Sequence, residues 1–188
     1  MNRHSLPLIG AVWLGLSLST SAQAIAIQYD LSSLGGNAYR YDYTITNDGS
    51  LGAGVPVQLF DIYFDPALYL ESSLSIATSG PTALNWDQIF LSSGPSIPVA
   101  YDALALSGGI ADGAVVSGFA VDFTWLGLGT PGAQLFDIYN PTTFALLDSG
   151  TTQAVSIPGT LPLFGLGALA MLWMRRRQRL STSIASFA

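Results

Sequence analysis

The chain has 188 residues, 49% of them hydrophobic, and a formal net charge of −6 from six Arg and twelve acids, with no Lys and no Cys. All twelve acids and a single basic residue, Arg40, fall between residues 25 and 155, so this span carries −11 and disfavours nucleic acid and anionic surfaces as partners. Without Cys the core holds without disulfides. The sole His, His4, sits at the extreme N-terminus, which leaves Ser-His, Cys-His and Lys-based nucleophiles and the usual zinc sites without a partner further along the chain.

The N-terminus opens on a short positive stretch, Met1 to His4, followed by the apolar run LPLIGAVWLGLSL and then Ala22-Gln23-Ala24, a small-x-small site. This order predicts a signal peptide over residues 1–24, cut after Ala24, with a second position open after Ala26. An uncleaved anchor helix is disfavoured, because the run is short and ends in Ser and Thr.

Residues 25–154 change character, with Gly, Ser, Thr and aromatic residues arranged in short alternating runs divided by turn residues. In YRYDYTIT, Tyr39, Tyr41, Tyr43 and Ile45 share one face, and in GFAVDFTWL, Phe119, Val121, Phe123 and Trp125 do the same. The pattern predicts an all-β fold, an antiparallel β-sandwich. The word LFDIY occurs at Leu59–Tyr63 and at Leu135–Tyr139, and each copy follows a strand holding Asp42-Tyr43-Thr44 or Asp122-Phe123-Thr124. Each half therefore reads as strand, Gly-rich loop, strand and Pro turn, a hairpin used twice through duplication, through equivalent sheet edges or by coincidence. With Phe60, Ile62, Phe64, Phe136 and Ile138 inward, Asp61, Tyr63, Asp137 and Tyr139 point outward, and Asp42, Asp61, Asp122 and Asp137 are expected on solvated faces. Those carboxylates are offset, neutralised by Arg40 on one unit, or bridged by a cation such as calcium, although no calcium loop of the EF-hand pattern is present and no cofactor is expected. A glycosidase pair would come from Glu71 and eleven Asp, and no spacing fixes one, so a non-enzymatic role is expected. Among the aromatic residues Trp86, Trp125, Tyr63, Tyr69, Tyr101 and Tyr139, the candidate for a sugar-stacking platform is Trp86, beside Asp87 and Gln88 after the Gly80-Pro81 turn, with burial in the core as the competing reading.

The C-terminal segment 155–180 holds a Pro-Gly turn, an uncharged run from Leu161 to Met174, and Arg175, Arg176, Arg177 and Arg179. Counted back to Ile157 the run reaches eighteen residues, a minimal transmembrane helix. The Arg cluster then stops transfer, leaving 181–188 as a short cytoplasmic tail and the acidic domain outside.

A short span after a Pro-Gly turn and before an Arg cluster resembles the PEP-CTERM sorting signal of exported proteins in Gram-negative bacteria that make extracellular polysaccharide. In Val155-Ser156-Ile157-Pro158-Gly159-Thr160 the match lies at Val155, Pro158, Gly159 and Thr160. Ser156 and Ile157 replace the usual Pro and Glu, and the tail beyond Arg179 is longer than usual. The resemblance implies transient recognition by an exosortase, an integral-membrane cysteine transpeptidase that cuts near the motif. The protein would pass from the inner membrane to the outer surface or extracellular matrix, as a biofilm component associated with polysaccharide. The span 25–154 is similar to uncharacterised ectodomains that accompany such tails. A permanent anchor, a membrane-tethered carbohydrate-binding module with or without calcium, and a glycan-active enzyme are the alternatives.

Overall fold

In a computed structural model the described residues are 25–95 and 97–155, and they form two facing β-sheets. The strands are β1 (Ala26–Gly35), β2 (Ala38–Thr46), β3 (Leu59–Phe64), β4 (Ser75–Ile76), β5 (Trp86–Leu91), β6 (Val99–Ala105), β7 (Val115–Thr124), β8 (Leu135–Tyr139), β9 (Leu146–Thr151) and β10 (Gln153–Ala154). A short α-helix, α1 (Gly80–Asn85), precedes β5 and has Pro81 in its first turn, where no N–H is needed. The first sheet runs β10-β1-β2-β7-β4 and the second β5-β6-β3-β8-β9, antiparallel throughout except for the parallel contact of β1 with β10. The expected all-β sandwich is therefore the architecture of the described residues.

The core forms where the inward faces of the two sheets meet, and it is aromatic. Tyr41, Tyr43, Tyr101, Phe60, Phe64 and Phe119 are all fully buried. Edge-to-face pairs join the sheets, with Phe60 of β3 against Phe119 of β7 at 5.1 Å between ring centres and Phe64 against Tyr69 at 5.0 Å. The alternation read from YRYDYTIT and GFAVDFTWL is followed, since Tyr41, Tyr43, Ile45, Phe119, Val121, Phe123 and Trp125 all enter the core. Buried hydroxyls are satisfied: the Tyr41 hydroxyl donates to the Gly132 carbonyl at 2.6 Å, and the Gln134 amide donates to the Tyr43 hydroxyl at 2.9 Å.

The repeated unit is a crossover and not a hairpin. β2 belongs to the first sheet and β3 to the second, and β7 and β8 divide in the same way. The two copies pair with each other instead of within themselves. In β3 and β8, Phe60 faces Ile138, Asp61 faces Asp137 and Ile62 faces Phe136, while in β2 and β7, Arg40 faces Asp122, Tyr41 faces Val121 and Asp42 faces Ala120. These registers are reciprocal about Asp61/Asp137 and about Tyr41/Val121, as an approximate two-fold relation between the copies requires. The loop after β2 is fastened by buried Asn47, whose side-chain amide donates to the carbonyls of Val55 and Ile110, each at 2.9 Å, and whose Oδ1 accepts from the Gly49 N–H.

Residues 1–24, with Ala22 and Ala24, and residues 156–188, with most of the sorting motif and the Arg cluster, lie outside the described residues. Among the described residues no helix is long and apolar enough to cross a membrane.

Candidate functional site: the outer face of the second sheet

Because side chains alternate along a strand, burying Phe60, Ile62 and Phe64 turns Leu59, Asp61 and Tyr63 of β3 to the outer face. The flanking strands obey the same rule, and their registers set three carboxyl groups in one row, Asp102 on β6, Asp61 on β3 and Asp137 on β8. Like charges opposite one another destabilise a sheet, so the row has to discharge or find donors. It does both.

Asp61 is 8% exposed, in contrast to the solvated carboxylate expected from the sequence. Leu59 and Ala100 are buried on the same face, outside the core cluster, so water is largely displaced from its centre. Burial first, then a hydrogen bond with Asp102 and the charges of Asp102 and Asp137, push the Asp61 carboxyl from 3.8 up to about 7. Asp102 is also raised, chiefly by burial. Asp61 Oδ1 is buried with no hydrogen-bond partner among the described residues, which adds to the cost of ionising the group.

Asp137 is held differently. The Tyr63 hydroxyl donates to its Oδ2 at 2.8 Å and the Tyr139 hydroxyl at 2.9 Å, and the two hydroxyls stand 3.1 Å apart. Burial is the largest cause raising both phenols above their ordinary value, so each stays a donor at neutral pH.

Beside Asp137 the surface is concave. One depression of about 470 Å³ lies among Tyr63, Asp65, Tyr69, Trp125, Gln134 and Leu135. A second, of about 320 Å³, lies among Tyr63, Leu135, Asp137, Ser149 and Thr151. Tyr63 and Leu135 border both, so the two adjoin as one groove from the end of the sandwich onto the sheet face. Neither depression is bordered by Asp61 or Asp102.

The candidates named from the sequence are now sorted. Trp86 is 6% exposed, with its ring tilted against Phe60 at 5.6 Å and edge-on to Phe119 at 5.0 Å, so it is a core residue and no surface platform. Strand alternation decides this: Trp86 opens β5 on its inward face, and polar Asp87 beside it takes the outward one. Tyr69, Tyr101 and Trp125 are buried as well. Tyr63 and Tyr139 are half-buried on the outer face and take no part in the aromatic pairs of the core. Arg40 neutralises Asp122 on the first sheet through two bonds, Nε to Oδ1 at 2.6 Å and Nη2 to Oδ2 at 2.9 Å. Glu71 bonds Ser93 and meets no partner carboxylate there. Among the described residues no three His, Cys, Asp or Glu side chains group as metal ligands. The Asp102–Asp61–Asp137 row was missed in the sequence. The two Asp residues at the centres of the LFDIY copies were its one visible signal.

No family model matches the chain, and no curated protein matches it. Two solved structures show a weak likeness to it. The chitin-binding domain of Chi18aC from Streptomyces coelicolor shares 18% identity at a TM-score of 0.39, covering 60% of this chain and 90% of that one. A chain of the CaDoc0917–CaCohA2 complex shares 14% identity at a TM-score of 0.33, covering 69% of this chain and 94% of that one.

Proposed function

We propose that the protein is an exported, non-enzymatic component of the cell surface or extracellular matrix, delivered by an exosortase and associated with extracellular polysaccharide. The observation that carries this reading is the order of parts: a secretory signal, an acidic β-sandwich, then a Pro-Gly turn, an uncharged run and an Arg cluster. Ile25 is 3% exposed in the core, which favours cleavage after Ala24 over cleavage after Ala26, since the latter would remove a packed side chain. The non-enzymatic part is supported by the placement of the raised carboxyl groups Asp61 and Asp102, which border neither of the two depressions.

The test is cell fractionation of the tagged protein with and without the host's exosortase. With the enzyme, the sandwich leaves the inner membrane. Without it, full-length chain accumulates there, as it also does when Pro158 and Gly159 are replaced. An unchanged distribution in both cases would reject the sorting step. A membrane-held carbohydrate-binding module is the second reading, favoured by the half-buried Tyr63 and Tyr139 beside a groove.

A further inference from the structure

We propose that the groove from Trp125 and Asp65, past Tyr63 and Leu135, to Asp137 binds an uncharged glycan chain. This names the ligand class within the polysaccharide association proposed above, and it rests on that reading. Four observations lead to it.

The first is shape. A depression of about 470 Å³ is within the size range of ligand sites, and the second, of about 320 Å³, adjoins it across Tyr63 and Leu135. Two linked depressions on a sheet face suit an extended ligand of repeating units better than one compact molecule.

The second is the lining. Leu135 is 64% exposed and Leu68 39%, and Tyr63 stands outside the aromatic pairs of the core. An apolar rim with an unstacked aromatic ring fits the C–H faces of sugar rings.

The third is polar complementarity. Asp137 is fixed through Oδ2 by two tyrosine hydroxyls, and its Oδ1 has no hydrogen bond among the described residues, so it is a pre-oriented acceptor. Trp125 is 7% exposed and borders the groove, with its indole N–H buried. A fixed acceptor beside the groove matches hydroxyl groups, which donate to it.

The fourth is charge. Asp65 and Asp137 border the groove, Arg40 is engaged with Asp122 on the other sheet, and the span 25–155 holds no other basic residue. Uronate, sulfate or phosphate polymers would meet uncompensated repulsion there. Neutral glycans would not.

The test is affinity electrophoresis of the full chain in detergent, through gels containing hydroxyethylcellulose, glucomannan, dextran, or the uncharged fraction of the host's own polysaccharide, with alginate and polygalacturonate as acidic counterparts. Retardation is expected with at least one neutral polymer and with neither acidic one. Tyr63→Ala should weaken it about tenfold or more. Leu135→Glu, at an exposed position where folding is not at stake, should weaken it similarly at an unchanged melting temperature. Retardation by the acidic polymers, retardation indifferent to both substitutions, or none in any neutral gel would overturn the proposal. Each of those results leaves the sorting reading intact, because sorting is read from cell fractions and not from binding.

Discussion

If Asp61 shares a proton with Asp102, stability must fall as pH rises from about 4 to about 7, and Asp61→Asn must abolish most of that fall. In the unfolded chain an Asp ionises near its ordinary value of 3.8, whereas in the folded sheet Asp61 holds its proton up to about pH 7. A raised carboxyl favours the fold while it is protonated. The contribution is complete below about pH 4, erodes as pH rises, and is gone above about pH 7. The interval from 3.8 to about 7 corresponds to about 4 kcal/mol, and since one proton serves both carboxyl groups, about 2–4 kcal/mol is the expected loss. In Asp61→Asn the carboxamide cannot ionise but still donates to Asp102, which preserves the protonated arrangement at every pH. For a domain of roughly 130 residues each kcal/mol moves Tm by about 3–5 °C, so Asp61→Asn should melt about 10 °C above the wild type at pH 8. At pH 3.5 the two should agree within about 2 °C. Circular dichroism melts of the full chain between pH 3.5 and 9 make the comparison. The general repulsion among the other acids acts on both proteins and cancels in the difference. Parallel Tm curves, or an Asn variant less stable at pH 8, would refute the shared proton.

Other substitutions test the packing that positions this face. Phe60 is fully buried and meets Trp86, Tyr101 and Phe119, so Phe60→Ala should cost about 3–5 kcal/mol in denaturant unfolding. A loss under about 1 kcal/mol would contradict the aromatic seam between the sheets. Asn47→Ala strands the Val55 carbonyl, while Ile110 keeps the Val57 N–H, and should cost about 1–3 kcal/mol, with faster amide exchange in the loop after β2 as the local sign. Exchange unaffected there would remove Asn47 as the fastener.

The strand faces were legible because period-two alternation is a local property. Tyr41, Tyr43, Phe119 and Phe123 enter the core as their spacing requires. Pairing partners were not legible in the same way. A strand, a Gly-rich loop and a second strand spell a hairpin, but residues 47–58 and 125–134 are long enough to cross between two sheets, and the sandwich takes that route twice. The burial of Asp61 depends on the register of β6, β3 and β8 together, which no window of one strand contains. Trp86 takes the core position weighed against a surface platform, and its polar neighbours describe the opposite face of its strand. Buried Gln134, bonded to buried Thr152 and to the Tyr43 hydroxyl, looked like an ordinary loop residue until the sheets brought the three together. The candidate groove had a partial signal in Tyr63, which closes the first LFDIY copy on the outward face, whereas Tyr139 stands opposite Leu59 and meets Tyr63 only at the hydroxyls beside Asp137.

The central claim, that the C-terminal tail is an address which is removed, is tested most directly by the intact mass and cell fraction of the protein from its own host. The account predicts a mass beginning at Ile25 and ending near Pro158 or Gly159, found in the outer-membrane or extracellular fraction. A mass that retains Arg175 to Ala188, found in the inner membrane, would contradict it and make the tail a permanent anchor.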